Sequence, residues 1–193
     1  AILVANENTG VVSQLEAKAL SRQIVRASQC FELDPIVFTA LIWRESHFKH
    51  QSKSETGAVG LTQLTKMGIH EVLDRLGAES LRKRDSLRNQ MASCYPSLLK
   101  SIPANTDFVD FSVWKRKMAH SPETALVFGA ILLKINLNTD YQIALEKYNG
   151  DPRIKVRFSK EVLALASWIS SSFTTIPQTS LKSSKFLASI QGF

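Results

Sequence analysis

Apolar residues recur along the chain at helical spacing, and no stretch shows a convincing alternation of apolar and polar positions. Leu20, Ile24 and Ala27 lie four and three positions apart, which predicts an amphipathic helix from about Val12 to Cys30. Similar patterns predict three further helices, over residues 64–76, from 139 to about 150, and from about 159 to 170. Thr139, with Gln142 three positions later, is the predicted cap of the second of these. We therefore expect an all-α fold.

One predicted helix is apolar on nearly every side, which is typical of a helix buried in the core. It starts at Asp34 and Pro35, because a carboxylate can cap the first turn and proline suits the first helical position. Apolar residues then continue to Trp43, and the polar residues 44–46 end the helix. We expect this helix to lie at the centre of the domain.

A second apolar helix is predicted from a similar start at residues 121–123, and it extends to Ile135. It contains Gly129, although glycine inside a helix costs about 1 kcal/mol relative to alanine. A glycine at this point therefore favours close packing against a neighbouring element.

The remaining segments outline one domain with two additions. Residues 51–60 are small and polar and include Gly57 and Gly60, so they are predicted to form a tight loop. The pattern blurs into short helices and loops after residue 77, and we treat about 79–120 as an insertion. Residues 171–193 are rich in Ser and Thr and are expected to form a C-terminal extension of a domain at 1–170.

Composition excludes several classes of protein. With 193 residues, of which 44% are apolar, the chain is long enough for a core, which argues against a disordered protein. Apolar stretches such as residues 35–43 and 162–169 are shorter than the roughly 20 residues of a membrane-spanning helix. The net charge of +7 favours anionic partners, but the basic residues form scattered runs without a nucleic-acid docking motif. We expect no nucleic-acid partner.

The cysteines and histidines do not have the spacing of a metal site. Cys30 and Cys94 are equally compatible with a disulfide and with two buried thiols. No metal ion is therefore expected.

The candidate chemistry lies directly after the central helix. Residues 45–48 read ESHF, and residues 54–63 read SETGAVGLTQ. Two later segments extend the pattern, PETALVFGAILL at 122–133 and ALEKYNG at 144–150. A glutamate at the end of an apolar helix suits glycosidic cleavage, because burial raises the pKa of a carboxyl and keeps the proton that the leaving oxygen needs.

These four blocks, in this order, resemble the catalytic domain of the soluble lytic transglycosylases, relatives of goose-type lysozyme. The family pattern runs ESxF, then S-x-x-GAxGLMQ, and the resemblance spans roughly residues 24–165. It implies a lysozyme-like helical domain that cleaves the β-1,4 bond between N-acetylmuramic acid and N-acetylglucosamine in peptidoglycan. By this resemblance Glu45 is the single catalytic acid/base, and four residues bind substrate or hold the acid: Ser54, Gln63, Tyr148 and Asn149.

The chain departs from the family pattern at several positions. Thr62 stands in place of the Met of GLMQ, and Ala125 in place of an Asn. Goose-type lysozymes have an aspartate shortly after GLMQ, whereas Leu, Thr and Lys follow Gln63 here. That difference favours attack by the substrate's own 6-hydroxyl, which leaves a 1,6-anhydromuramyl end. Glu55, an acidic residue in the loop, suggests a pairing with the free amine of de-N-acetylated glucosamine.

Two alternatives stay open from the sequence. One is a hydrolytic lysozyme acting on the same or on de-N-acetylated peptidoglycan, and the other is a non-catalytic wall-binding module. The enzyme interpretation implies a periplasmic or secreted protein whose export signal was removed before residue 1. It needs no cofactor, because acid/base help and the substrate's own hydroxyl suffice. We also expect a monomer. The enzyme interpretation also makes a Cys30–Cys94 disulfide more plausible.

Overall fold

The computed structural model describes residues 14–77, 86–103, 106, 109–138 and 140–174. These residues form nine helices, and their only β-pairing consists of isolated bridges. In chain order the helices are α1 (Gln14–Cys30), α2 (Pro35–Ser46), α3 (Lys66–Leu76), α4 (Ser86–Cys94), α5 (Pro96–Lys100), α6 (Phe111–His120), α7 (Pro122–Asn136), α8 (Tyr141–Asn149) and α9 (Lys155–Thr174). The predicted all-α fold is confirmed.

The start of α2 follows the predicted capping. The Asp34 carboxylate accepts hydrogen bonds from the backbone N–H groups of Ile36 and Val37, at 2.7 and 3.3 Å. The Tyr141 hydroxyl, at the start of α8, accepts a hydrogen bond from the Asp34 N–H at 2.6 Å. The cap therefore also ties the beginning of α2 to α8.

Three predicted helix starts differ from the structure. Helix α3 begins at Lys66 rather than at residue 64, because the Thr65 side chain caps its first turn and Leu64 forms an isolated bridge with Val59. The residue that caps α8 is Asp140, whose carboxylate accepts from the N–H groups of Gln142 and Ile143 at 2.6 and 3.2 Å. The predicted cap, Thr139, lies outside the described residues.

Helix α9 begins at Lys155 rather than near Ser159. The apolar face that predicted this helix from Val162, Ala166 and Ile169 extends back one turn to the buried Phe158.

The core is built around the two apolar helices. Helix α2 lies between α1 and α9, and α7 packs against α1, α3, α6 and α8. Every residue of α7 from Thr124 to Leu133 is buried. Because α2 is buried along most of its length, the last turn that carries Glu45 has a fixed position relative to the neighbouring helices.

The predicted insertion contributes α4, α5 and α6, and residues 78–85 within it lie outside the described residues. Cys30 at the end of α1 and Cys94 at the end of α4 form a disulfide, with an S–S distance of 2.23 Å. Helix α6 packs against α3 and α7. The insertion is therefore joined to the domain by a covalent bond and by helix packing.

Two properties of the described residues bear on broader function. None of the described helices combines the length and hydropathy needed to cross a membrane. No group of three or more His, Cys, Asp and Glu side chains in the described ranges has an arrangement that could hold a metal ion. The predicted 171–193 extension is described only to Thr174.

Candidate active site

Glu45 is the penultimate residue of α2, and the backbone after it turns sharply. His47 and Phe48 have left-handed φ angles of 51° and 62°. The His47 N–H donates to the Trp43 carbonyl at 2.9 Å, which closes the last turn of the helix. This reversal buries Ser46 and Phe48 on either side of the turn.

Burial dominates the electrostatics of Glu45. The residue as a whole is partly exposed, but its carboxyl lies deep enough for burial to raise its pKa from 4.5 to about 8. The neighbouring Arg44 guanidinium acts in the opposite direction. Arg44 also forms an ion pair with Glu161 on α9, at 2.7 Å, which places this cation on the α9 side of the helix. Glu45 is therefore protonated at neutral pH.

The loop at residues 51–64 is stabilised by its own backbone and side chains. Val59 forms isolated bridges with Lys53 and with Leu64, and so lies between two strand-like segments. The Ser54 Oγ accepts from the Ala58 N–H at 3.0 Å. The Gln63 Nε2 donates to the carbonyls of residues 52 and 60, at 2.9 and 2.8 Å. These contacts make the loop a defined structural element beside the end of α2.

The two glycines of this loop adopt the backbone geometry that the sequence predicts. Gly57 and Gly60 have φ angles of 82° and 78°. A Cβ atom on Gly60 would lie 2.6 Å from the Met118 carbonyl oxygen, and one on Gly57 would lie 3.1 Å from the Lys115 Nζ. The close approach at Gly60 is therefore to α6 of the protein itself.

Tyr148 lies in the same neighbourhood as Glu45. Its hydroxyl donates to the Thr62 carbonyl at 2.8 Å, and both groups are buried. Burial raises the pKa of Tyr148 well above its ordinary value, the charge of Glu45 raises it further, and the hydrogen bond to Thr62 acts against both. The end of α2, the loop and the end of α8 therefore meet at one place.

Thr62 connects the loop to two helices. Its hydroxyl donates to the Ala125 carbonyl on α7 at 2.8 Å, and its own carbonyl accepts from Tyr148 on α8. A Cβ on Gly129 would lie only 2.4 Å from the Thr62 Cγ2. The close packing predicted at Gly129 is thus made with Thr62. Thr62 and Ala125, two residues that differ from the family pattern, are therefore in direct contact.

The predicted site residues fall into two groups. Glu45 and Tyr148 are brought close enough for the charge of one to affect the other. Within the described residues, Ser54 and Gln63 hydrogen-bond inside the loop, and the Asn149 Oδ1 accepts from the Asp151 N–H at 3.3 Å. The Gln63 side-chain oxygen makes no hydrogen bond with the described part of the chain, so it is available to a ligand.

Sequence reasoning treated Thr62 only as a departure from a pattern. The sequence did contain a hint, because Thr62 is polar at a position where the family pattern has an apolar residue. Thr62 is fully buried, and a buried hydroxyl requires a hydrogen-bond partner. The effect of the Arg44 charge on the pKa of Glu45 was also missed, because the sequence analysis used residues 44–46 only to define the end of α2.

The all-α fold of the described residues is consistent with a lysozyme-like domain, and Glu45, whose pKa is raised, lies beside a glycine-containing loop. Residues 22–95, rather less than half of the chain, match the family model of the transglycosylase SLT domain. The match confirms the resemblance drawn from the motifs, and it includes Glu45, Ser54 and Gln63 but ends before Tyr148. No curated protein and no solved structure matches the chain.

The family comprises peptidoglycan lytic transglycosylases, which are enzymes of the lysozyme-like glycosidase type. The family match confirms the prediction of an enzyme of this type. It also supports peptidoglycan as the substrate at the level of the family.

Proposed function

We propose that the protein cleaves the β-1,4 bond between N-acetylmuramic acid and N-acetylglucosamine in peptidoglycan glycan strands. Glu45 is the single general acid/base, and the product carries a 1,6-anhydromuramyl end. Ser54, Gln63, Tyr148 and Asn149 bind the sugar or hold the acid. The observation that carries this proposal is the burial of the Glu45 carboxyl, which raises its pKa to about 8.

The mechanism uses one carboxyl group twice. Protonated Glu45 donates its proton to the glycosidic oxygen, and the C1–O bond breaks through an oxocarbenium-like transition state. The resulting carboxylate then takes the proton of the muramyl 6-hydroxyl while that oxygen bonds to C1. Glu45 is protonated again at the end, so no water molecule and no cofactor is consumed.

The electrostatics of the site favour this route over hydrolysis. A two-carboxylate glycosidase places a second carboxylate within about 10 Å of the acid. A second ionised carboxylate so close would raise the pKa of Glu45, yet within the described residues the charge that shifts this pKa is that of Arg44. This supports a single catalytic carboxyl.

The proposal includes action outside the cytoplasm, in the periplasm or after secretion. The Cys30–Cys94 disulfide supports this location, because such bonds form and persist in oxidising compartments. We also propose that the protein acts as a monomer, which sedimentation equilibrium of the active enzyme would test.

Digestion of purified sacculi tests the proposal. Wild type and Glu45→Gln are incubated with native and de-N-acetylated sacculi, and the sugar ends of the released fragments are identified by mass spectrometry. Removal of a general acid costs about 10²–10⁴-fold in rate. Glu71→Gln is the matched control, because Glu71 is an exposed glutamate on α3. It should retain full activity.

The products distinguish the alternatives. Anhydro ends that disappear with Glu45→Gln support the proposal, whereas reducing ends indicate a hydrolytic lysozyme. Binding without cleavage indicates a wall-binding module. Equal rates on both substrates, with Glu55→Gln unchanged on both, would dispose of the proposed pairing of Glu55 with a free glucosamine amine.

A further inference from the structure

We propose that one face of α6 binds the peptide carboxylates of the glycan strand. This face, which we call the α6 face, consists of Phe111 and Lys115, one helical turn apart, and of Lys66 from α3, whose ammonium group lies against Phe111. The inference deepens the proposed function and rests on peptidoglycan as the substrate. It adds a binding site for the peptides beside the site for the sugars.

Lys66 reaches the α6 face from the first turn of α3. Its Nζ lies 4.9 Å from the centre of the Phe111 ring, which is the geometry of a cation–π contact. The imidazole of His70 also stacks on this ring, with 5.7 Å between the ring centres. Lys66 follows Gln63 by three positions, so the α6 face begins where the loop of the candidate site ends.

Lys115 contacts the same loop one turn further along α6. A Cβ atom on Gly57 would lie 3.1 Å from the Lys115 Nζ, so this ammonium group lies against the loop between Ser54 and Gln63. The packing of α6 against α3 and α7 holds the face in this position. A glycan strand bound over the loop therefore has two ammonium groups along one edge.

Neither ammonium group is neutralised by the protein. Lys66 and Lys115 form no ion pair and no hydrogen bond with the part of the chain that the structure describes. Asp74 of α3 is paired with His70 at 2.6 Å, and Asp110 bonds within the first turn of α6. Because Lys115 is partly buried, its charge is less screened by water and attracts a carboxylate more strongly than a fully exposed lysine does.

These two cations suit carboxylates as the partner. The peptides of peptidoglycan carry carboxylates along the strand, and the α6 face presents its two ammonium groups beside the loop. Helix α6 lies after residues 22–95, which match the family model, so the family match does not supply this site. The basic run of the predicted insertion thereby gains a role in substrate recognition.

The test is the binding of soluble glycan strands, measured by isothermal titration calorimetry with Glu45→Gln as the parent so that the strands stay intact. Three probes are compared: strands with native peptides, strands with amidated peptide carboxylates, and strands from which an amidase has removed the peptides. Adding Lys66→Met and Lys115→Met should weaken binding to native strands roughly tenfold relative to a charge-matched control. The two variants should bind each of the other probes equally.

The charge-matched control combines Lys18→Met and Lys160→Met in the same parent. Both are exposed lysines, on α1 and α9, and their removal changes the net charge by the same amount. Any loss through the net charge is therefore shared, and the difference between the two variants reports the α6 face. Lys66→Arg with Lys115→Arg keeps both cations and should bind native strands like the parent.

Thermal unfolding shows whether the variants fold. If the methionine pair does not fold, the single variants Lys66→Met and Lys115→Met carry the test, and each should show part of the loss on native strands.

Two results would overturn the inference. One is equal affinity of the methionine pair and its control for native strands. The other is a difference of the same size on amidated strands, because the two cations would then not act on carboxylates. If wild type binds native strands through the α6 face but does not cleave them, the proposed function is refuted and this inference stands.

Discussion

The Glu45 carboxyl has a higher pKa in the folded protein, about 8, than its ordinary value of 4.5. Folding therefore favours the protonated form, and the stability associated with this group is fully present below about pH 4.5. It is lost as the pH rises through about 8. The same burial that supplies a loaded acid thus makes the folded state less stable at neutral and alkaline pH.

Glu45→Gln is accordingly expected to stabilise the protein at high pH while it abolishes activity. The free energy of unfolding should match that of wild type near pH 4 and exceed it by up to roughly 4 kcal/mol near pH 8. Urea unfolding at both pH values measures this difference. For Glu71→Gln, the difference in free energy of unfolding from wild type should be the same at both pH values. A Glu45→Gln variant that is less stable than wild type at pH 8 would mean that the carboxyl is not buried in this way.

Gly129→Ala tests the contact between α7 and the loop. A methyl group there would lie 2.6 Å from the Thr62 Cβ, and relief of such overpacking costs about 1–3 kcal/mol. Because three atoms of Thr62 lie within 2.8 Å of that position, the cost belongs to the upper part of this range and exceeds the roughly 1 kcal/mol that alanine gains over glycine inside a helix. We expect a lower midpoint of thermal unfolding.

Gly68→Ala on α3 is the control for that prediction. A methyl group there would meet the Leu132 Cδ2 at 3.0 Å, and the flexible end of a leucine can move. Its stability should stay within about 1 kcal/mol of wild type. Equal stability of the two variants would show that Thr62 and α7 are not tightly packed.

At the scale of elements, the sequence predicted helices best where local chemistry defines their ends. Helix α2 begins as its capping pattern predicts, because Asp34 forms the expected bonds with its first turn. The beginning of α9 was placed too late, because the prediction started from Val162 and did not include Phe158, a buried residue one turn earlier on the same face. The cap of α8 was assigned one residue early, since two adjacent side chains both suit that role.

The site was predictable in part for similar reasons. Glu45 stands out because it ends an apolar helix, and the glycines of the loop indicate left-handed backbone. The contact between Thr62 and Ala125 joins residues 63 positions apart. A local sequence pattern cannot predict a contact over such a separation, so this contact became visible only in the folded structure.

The disulfide between α1 and α4 gives a prediction about the insertion. Its two cysteines are 64 positions apart, and in the chain-entropy model a bond that closes such a loop contributes about 4 kcal/mol. Replacement of both by alanine should lower the free energy of urea unfolding by that order. Reduction of wild type should give a similar loss, and reduction should leave the alanine variant unchanged. An unaltered midpoint in both cases would contradict a structural role for the bond.

At the scale of the whole molecule, the net charge of +7 should assist binding to peptidoglycan, whose peptides carry carboxylates. Attraction between exposed charges is screened as salt rises, with a Debye length near 10 Å at 0.1 M. Cosedimentation of Glu45→Gln with sacculi should therefore fall steadily with ionic strength. Sacculi with amidated carboxylates provide the control and should show weaker binding with little salt dependence. Salt-independent binding to native sacculi would exclude a role for the net charge.

The measurement that tests the central claim most directly is the pH dependence of kcat/KM on soluble glycan strands, which reports the titration of the free enzyme. Because Glu45 must be protonated to start the reaction, we expect activity to persist through neutral pH and to fall as the pH rises past about 8. A fall near pH 4.5, or a Glu45→Gln variant with the activity of wild type, would contradict Glu45 as the buried general acid.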